Sequence, residues 1–448
     1  MKTRRVSRRE FLGGAAASAF AFAVVPGCVL GGPGKQAPSD TLNVAGIGCG
    51  GKGGSDVRGM SSENIVALCD VSEQRGGGSF RRFPKARKFK DYRVMLDEMD
   101  KAIDAVTVST PDHSHAPAAL RAMRRGKHCF TQKPLTHSPA EARAMAETAR
   151  KMQVATVMGI QRHCSEHIRR EVEMVRAGWL GPVREVHIWT NRPIWHTQGL
   201  DRPKRTDPVP PGLDWDLWLG PAPYRPYVDK VTVDGKERRC YHPFAWRGWW
   251  DFGTGALGDI GCHALDHPFW AFDLCAPTRI EAETSPVNDE TYPAWSIVTY
   301  QFPARGDHPP LKLVWYDGGK KPPRPPQLEA DRKLRGNGQL WIGDKATMFN
   351  GRVIPETKLK ELMADEPPET LPRSPGIYKE FIRACKGGPP CGANFPDYAG
   401  PLTEIVLAGN LAVRTGQPIE WDGEHLRCTN LPAANRYIRR EYRSGWEL

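Results

Sequence analysis

Short apolar runs alternate with longer amphipathic stretches between residues 42 and 160. Residues 42–47, 65–69, 105–109, 127–131 and 154–158 are too short for helices and read as strands. Residues 116–125, stopped by Gly126, and 139–151, opened by Pro139, have helical period and punctuation. Strands alternating with helices of this length predict a parallel sheet with right-handed crossovers. After Gly159 the alternation stops. A helix is expected over 167–177, ended by Gly178, and strands over 183–189, 280–283, 296–302, 312–316, 339–342 and 347–350. Residues 320–326 (KKPPRPP) and 364–372 are proline-rich loops that cannot enter a central strand. Two further helices are expected over 378–386 and 401–415. This is a sheet with long loops, not a second doubly wound unit.

Composition changes this picture little. With 448 residues, two folded units are expected. Hydrophobic residues at 40% and charged residues at 25% are ordinary for a globular chain. The net charge is +12, of which the first 34 residues carry +4. The densest basic run, from Arg81 to Lys90, interleaves Phe80, Phe83 and Phe89 but matches no nucleic-acid-binding module. It reads as a solvated helix end and loop, and no nucleic-acid partner is expected. The eleven cysteines include no CxxC pair, so neither a zinc ribbon nor a disulfide framework is indicated, and no metal is expected.

The first thirty residues read as an address. Arg4–Leu12 is RRVSRREFL, followed by an apolar, small-residue stretch to Val25. Ser7-Arg8-Arg9-Glu10-Phe11-Leu12 resembles a twin-arginine signal, which sends proteins out of the cytoplasm already folded. Residues 1–33 are assigned to this signal and 34–40 to a linker, and a periplasmic or otherwise extracytoplasmic location is expected. Val25-Pro26-Gly27-Cys28 resembles a lipoprotein cleavage box only weakly, because proline precedes the glycine; no lipid anchor is expected.

Gly48-Cys49-Gly50-Gly51-Lys52-Gly53 follows the first strand directly and is G-x-G-x-x-G in the place a dinucleotide site requires. Gly48 permits the turn, Gly50 lets backbone approach a pyrophosphate, and Gly53 lets the helix pack on the strand. Asp70, 22 residues after Gly48, ends the second strand where an acid binds the ribose hydroxyls. A carboxylate there repels a 2′-phosphate, so NAD is expected rather than NADP. A glycine turn beside a surface aspartate is the plain rival, but it leaves the order of strand, loop, helix and acid unexplained. Residues 41–160 are therefore assigned to a Rossmann domain, and 161–448 to an α+β domain. The loop Thr110-Pro111-Asp112-His113-Ser114-His115 leaves the carboxyl end of a strand, where such sheets bind ligands. Thr110, Pro111 and His115 are candidate cofactor contacts; His113 and His115 face the nicotinamide side or belong to a turn built on Asp112 and Ser114.

Two segments carry candidate chemistry. Gln132-Lys133-Pro134 follows the strand at 127–131. Gly258-Asp259-Ile260-Gly261-Cys262-His263 puts Asp259 and His263 one helical turn apart, on one face. Lysine, aspartate and histidine together suit oxidation of a carbinol: a base takes the hydroxyl proton and a cation steadies the alkoxide. Lys133 read as a strand-end lysine, His263 as a core histidine and Asp259 as a helix cap are the alternatives. Asp266 and His267 read as structural.

With the glycine loop, the S-T-P-x-x-x-H loop, the K-P dipeptide and G-D-x-G-x-H, the chain resembles the glucose–fructose oxidoreductase / inositol dehydrogenase / rhizopine-catabolism family, in its secreted twin-arginine branch. The resemblance implies an open, mostly antiparallel sheet after the Rossmann domain and oligomers built through that sheet. It implies Lys133 as proton-transfer and alkoxide-binding group as well as a cofactor contact, His263 as general acid/base, and Asp259 orienting or binding substrate. The family's E-K-P reads Gln132-Lys133-Pro134 here, which removes a charge beside the lysine. Arg162, Trp246, Arg247 and Trp249 are candidate sugar contacts, with Trp189, Arg192 and Trp195 on an earlier stretch; each tryptophan has a core reading too. Three functions stay open: an exported NAD-dependent oxidoreductase of a sugar, glycoside or cyclitol hydroxyl with tightly held cofactor; a redox-neutral glycoside hydrolase working through a transient keto sugar; and a non-catalytic sugar-binding protein, favoured only by Gln132.

Overall fold

Fully buried apolar runs become the central strands of a parallel sheet in the computed structural model, which describes residues 40–447. The export signal, most of the linker and Cys28 lie outside the described residues. The strands are β1 (Asn43–Ile47), β2 (Asn64–Cys69), β3 (Arg87–Phe89), β4 (Ala105–Val108), β5 (His128–Thr131) and β6 (Thr156–Met158). All pairs are parallel, in the order β3-β2-β1-β4-β5-β6. Helices α1 (Lys52–Gly59), α2 (Glu73–Arg82), α3 (Tyr92–Glu98), α4 (His115–Met123) and α5 (Pro139–Met152) connect them. The strand order reverses between β1 and β4, so the glycine loop and the Thr110–His115 loop flank one crevice at the strands' carboxyl ends.

Local signals explain the boundaries. α5 starts with Pro139 at its first position, and the Glu141 carboxylate accepts the Ser138 backbone N–H at 2.9 Å. The basic run departs from expectation: Arg81 and Arg82 end α2, but Arg87–Phe89 is the edge strand β3. Charged side chains on an exposed edge discourage pairing with another chain, so a strand that reads as loop is physically reasonable there.

Among the described residues the second sheet has nine strands rather than the six expected. Strands β7 (Val183–Trp189), β8 (Lys230–Val233), β9 (Lys236–Arg239), β10 (Arg279–Thr284), β11 (Ser296–Phe302), β12 (Leu311–Tyr316), β13 (Gly338–Gly343), β14 (Thr347–Phe349), β15 (Arg352–Ile354), β16 (Ile419–Asp422) and β17 (Arg427–Cys428) follow in the chain. β8 and β9 form a separate hairpin; the rest are ordered β15-β14-β13-β7-β12-β11-β10-β16-β17. Within this sheet, among the described residues, only β7 and β12 pair in parallel. β15 to β17 are two to four residues long, too short for period-2 alternation to mark them.

Helices α6 (Glu166–Arg176), α7 (Trp215–Leu219), α8 (Gly255–Ala264), α9 (Asp266–Ala271), α10 (Glu356–Leu362), α11 (Ile377–Cys385) and α12 (Gly400–Thr415) complete the fold. α12 packs on α5, α8 and β10 and so ties the second sheet to the Rossmann helices. The chain's last part returns to the first domain: Phe130 stacks on Tyr378 at 5.6 Å, and Ala140 N–H donates to Ile438 O at 3.1 Å. Residues 197–252 build a cap around Trp215, Trp218, Tyr241, Trp249 and Phe252, with Val71 of the Rossmann half packed against it. Among the described residues no helix is long and apolar enough to cross a membrane, and no cysteines pair.

Candidate active site

The glycine loop has the geometry its motif predicts. Gly48 has φ +76°, and a Cβ there would lie 2.7 Å from Ser109 O. A Cβ on Gly53 would lie 1.9 Å from Gly48 O, so α1 can sit this close only with glycine. At Gly50 a Cβ would meet Arg75 Cβ at 2.8 Å, which adds a packing reason to the expected one. Gly53→Ala is expected to cut dinucleotide affinity at least tenfold, about 1.4 kcal/mol, because backbone rather than a flexible side chain must move. Titration of the purified variant checks this, and unchanged affinity would remove the loop from the binding site.

The residues around the loop fit a dinucleotide. Gly51 is the N-cap of α1, which has no side-chain cap and no acid in its first turn, leaving N–H groups for a pyrophosphate. The Asp70 carboxylate is fixed by Cys49 N at 2.8 Å and Ser72 N at 2.9 Å and still lines the cavity. Burial pushes its pKa up, against those N–H donors and the Arg75 charge. Thr110 Oγ1 is buried without a partner at the cavity wall.

One cavity of about 390 Å³ joins this loop to the candidate chemistry. Gly48, Gly50, Asp70, Thr110, Pro111, His115, Lys133, Trp246, Arg247 and Asp259 all line it. Lys133 Nζ donates to Asp259 Oδ1 at 3.0 Å and also to the Asp259 carbonyl. Arg247 Nε lies 3.3 Å from Oδ1 and Arg192 Nε 3.4 Å from Oδ2. Burial raises the Asp259 carboxyl, but Lys133, Arg247 and Arg192 outweigh it and hold the pKa at about 2. Asp259 is therefore a fixed anion that aims a lysine and two arginines.

His263 stands one turn along α8 but faces a second cavity of about 470 Å³, together with Arg162 and Arg192. Asp259 lines the first space and its partner Arg192 the second, so this ion pair stands between them. Burial pushes His263 down to about 3, reinforced by Lys133, so the ring is neutral; its buried Nδ1 has no partner.

Trp249 is placed elsewhere than expected. It is fully buried in the cap core, its Nε1 donating to Cys240 O at 2.7 Å, so it has no face for a sugar. The sequence WRGWW does not reveal which indole points inward. Trp246 does reach the cavity, with the Arg247 guanidinium 4.2 Å from its ring. His113 is also in the core, between Trp218 and Phe252. His115 bridges Pro134 O and Thr110 O at 2.8 Å each and so braces the K-P turn. Asp266 is buried against His163 and Tyr398.

Sequence reasoning missed two groups. Asp112 accepts from Thr254 Oγ1 at 2.6 Å, and burial pushes it up to about 7; it reads as a turn former because its partner is 142 residues away. Trp218, His242 and Phe244 of the cap line the dinucleotide cavity, and no local pattern signals this.

Gln132 has a structural explanation. Its Nε2 donates to Asp56 Oδ2 at 2.9 Å, beneath the site, and leaves the Lys133–Asp259 pair intact. Asp56 is fully buried and also accepts from Ser109 Oγ and Tyr378 OH at 2.8 Å each. A glutamate at 132 would meet that carboxylate.

Comparison with known proteins agrees with this architecture. Residues 42–160 match a family model described as oxidoreductase family, NAD-binding Rossmann fold. Residues 167–308 match its companion, the C-terminal alpha/beta domain. A glycosyl hydrolase family 109 protein of Shewanella pealeana is 30% identical over 154 residues, 32% of this chain and 33% of that protein. A myo-inositol 2-dehydrogenase of Thermotoga maritima is 26% identical over 151 residues, 34% of this chain and 40% of that one. The chain thus spans less than half the length of these curated relatives. The WlbA dehydrogenase of Bordetella pertussis, solved with NADH and UDP-GlcNAcA, has the same fold, with a TM-score of 0.57 at 15% identity over 85% of this chain and 99% of that one. An aldose-aldose oxidoreductase of Caulobacter crescentus, solved with glycerol, gives 0.51 at 17% identity over 85% and 99%. Two adjoining family models that together match more than half of the chain, on the fold and cleft described above, place it in the Gfo/Idh/MocA family of NAD-binding oxidoreductases.

Proposed function

We propose that the protein oxidises a carbinol, or reduces the corresponding ketone, of a sugar, glycoside or cyclitol with NAD that stays bound through turnover. The observation that carries this is the Lys133–Asp259 pair opening into the same cavity as the glycine loop. When bound, NAD supplies hydride chemistry that no side chain offers. The side chains handle the rest. As the free amine, Lys133 Nζ takes the hydroxyl proton; as ammonium, it steadies the alkoxide. Asp259 aims it, and His263 offers its unpartnered Nδ1 from the second cavity.

Retention of the cofactor is supported by the cap. Glu73 N–H donates to Gly212 O and Asp214 N–H to Val71 O, both at 2.9 Å, so the cap is stitched to the chain just beyond Asp70. Export after folding, supported by Ser7–Leu12, makes a resident cofactor useful, because NAD is scarce outside the cytoplasm. A homo-oligomer through the second sheet completes the reading, on the strength of the family resemblance.

A redox-neutral glycoside hydrolase is the second reading, favoured by the likeness to the glycosyl hydrolase family 109 protein. One preparation tests both. Expressed at full length, the protein is expected in the periplasmic fraction, and denaturation should release NAD or NADH at about one per chain. Cleavage of a glycoside without added acceptor selects the hydrolase; net sugar oxidation selects the dehydrogenase. A cytoplasmic protein overturns the export reading. A chain that neither carries nor binds dinucleotide overturns the function.

A further inference from the structure

The second cavity offers donors and hardly any free acceptors. Arg162, Arg192 and Arg335 line it, and Glu171 is the sole carboxylate among its described lining residues. Glu171 is already engaged by His167 at 3.1 Å and by His267 Nδ1. Among the described residues, Arg162 and Arg335 donate no hydrogen bond and pair with no carboxylate. Each amide oxygen there already accepts at least one hydrogen bond. Asn337 Oδ1 accepts from Thr190 Oγ1 and Asn191 N, Gln339 Oε1 from Trp341 Nε1, and Asn350 Oδ1 from Gln339 N. A neutral sugar hydroxyl both donates and accepts, so a site built for it needs free acceptors. An oxyanion needs donors only.

A second observation points the same way. His267 is 4% exposed, lines this cavity, and its buried Nε2 has no partner. With Nδ1 committed to Glu171, Nε2 is the ring nitrogen left for a ligand in this cavity. The neighbouring Asp259 adds no free negative charge, because Lys133, Arg192 and Arg247 share it.

We propose that the second cavity binds an oxyanion carried by the substrate, so that the substrate is an acidic sugar: Arg162, Arg335 and His267 grip the oxyanion while Arg192 and Asp259 link it to the reacting end. This rests on the carbohydrate reading above and narrows it. A ring carboxylate and a sulfate ester share this chemistry.

The test is calorimetric titration of the full chain with its dinucleotide bound. The probes are methyl glucuronide and methyl galacturonide, the 6-sulfates of methyl glucoside and methyl galactoside, and the two neutral glycosides themselves. At least one acidic probe should bind about tenfold tighter than its neutral parent, a difference of about 1.4 kcal/mol, and the preference should shrink as salt rises. Carboxylate against sulfate members then identifies the source of charge. The double variant Arg162→Gln/Arg335→Gln should lose the preference while keeping its melting temperature and dinucleotide content. Neutral parents binding as tightly as every acidic probe, no acidic probe binding at all, or a preference that survives in the double variant each overturns the assignment. Failure of the redox reading shows separately, as unchanged cofactor absorbance with sugars that do bind.

Discussion

Lys133→Ala is expected to lower turnover by about 10²–10⁴-fold with dinucleotide content and melting temperature unchanged. The residue is 17% exposed at its side chain and opens into the cavity, so truncation leaves no packed core void. Asp259 loses one partner but keeps Arg247 at 3.3 Å and Arg192 at 3.4 Å, so the carboxylate is not stranded. What disappears is the amine paired with Asp259 at the cavity, the group placed to exchange a proton with a hydroxyl. Lys133→Arg should not restore the rate, because a guanidinium keeps its protons. Steady-state kinetics with melting curves separate the loss of chemistry from a loss of fold. Turnover within a few-fold of the parent would end the assignment of Lys133.

Gln132→Glu should destabilise the fold by about 2 kcal/mol or more near neutral pH. The change deletes the N–H that Asp56 accepts at 2.9 Å and sets a second carboxylate against a fully buried one. Like charges in one buried site raise a carboxyl pKa in the folded state. The folded variant then binds a proton more readily than the unfolded chain, so its deficit should shrink as pH falls from 7 toward 5. Denaturation of both proteins at the two pH values checks the sign. A variant as stable as the parent at pH 7 would show that Asp56 does not fix residue 132.

Gln132 also shows where sequence reasoning stops. Its departure from the family's glutamate reads as a lost catalytic charge. The residues that explain it, Asp56 and Tyr378, lie 76 residues before and 246 after it, and no local pattern joins them. The Rossmann half was legible because its signals are local: a buried run, a glycine loop, an acid at fixed distance. Lys133, Asp259 and Arg247 could be named for the same reason, each standing in a short motif. Trp249 could not be told from Trp246, because the backbone turn that sends one inward depends on the cap core. The short strands β15 to β17 carry too few residues for alternation to speak.

The Asp56 cluster bears on how the chain is made. Its tyrosine partner leaves the ribosome 322 residues after the aspartate itself. Until then the nascent first half holds a carboxylate short of a donor and Phe130 without its covering ring. A polypeptide interrupted before Tyr378 therefore lacks the partner of Asp56 and the ring stacked on Phe130. The last packing event of the Rossmann surface thus waits for the segment around Tyr378.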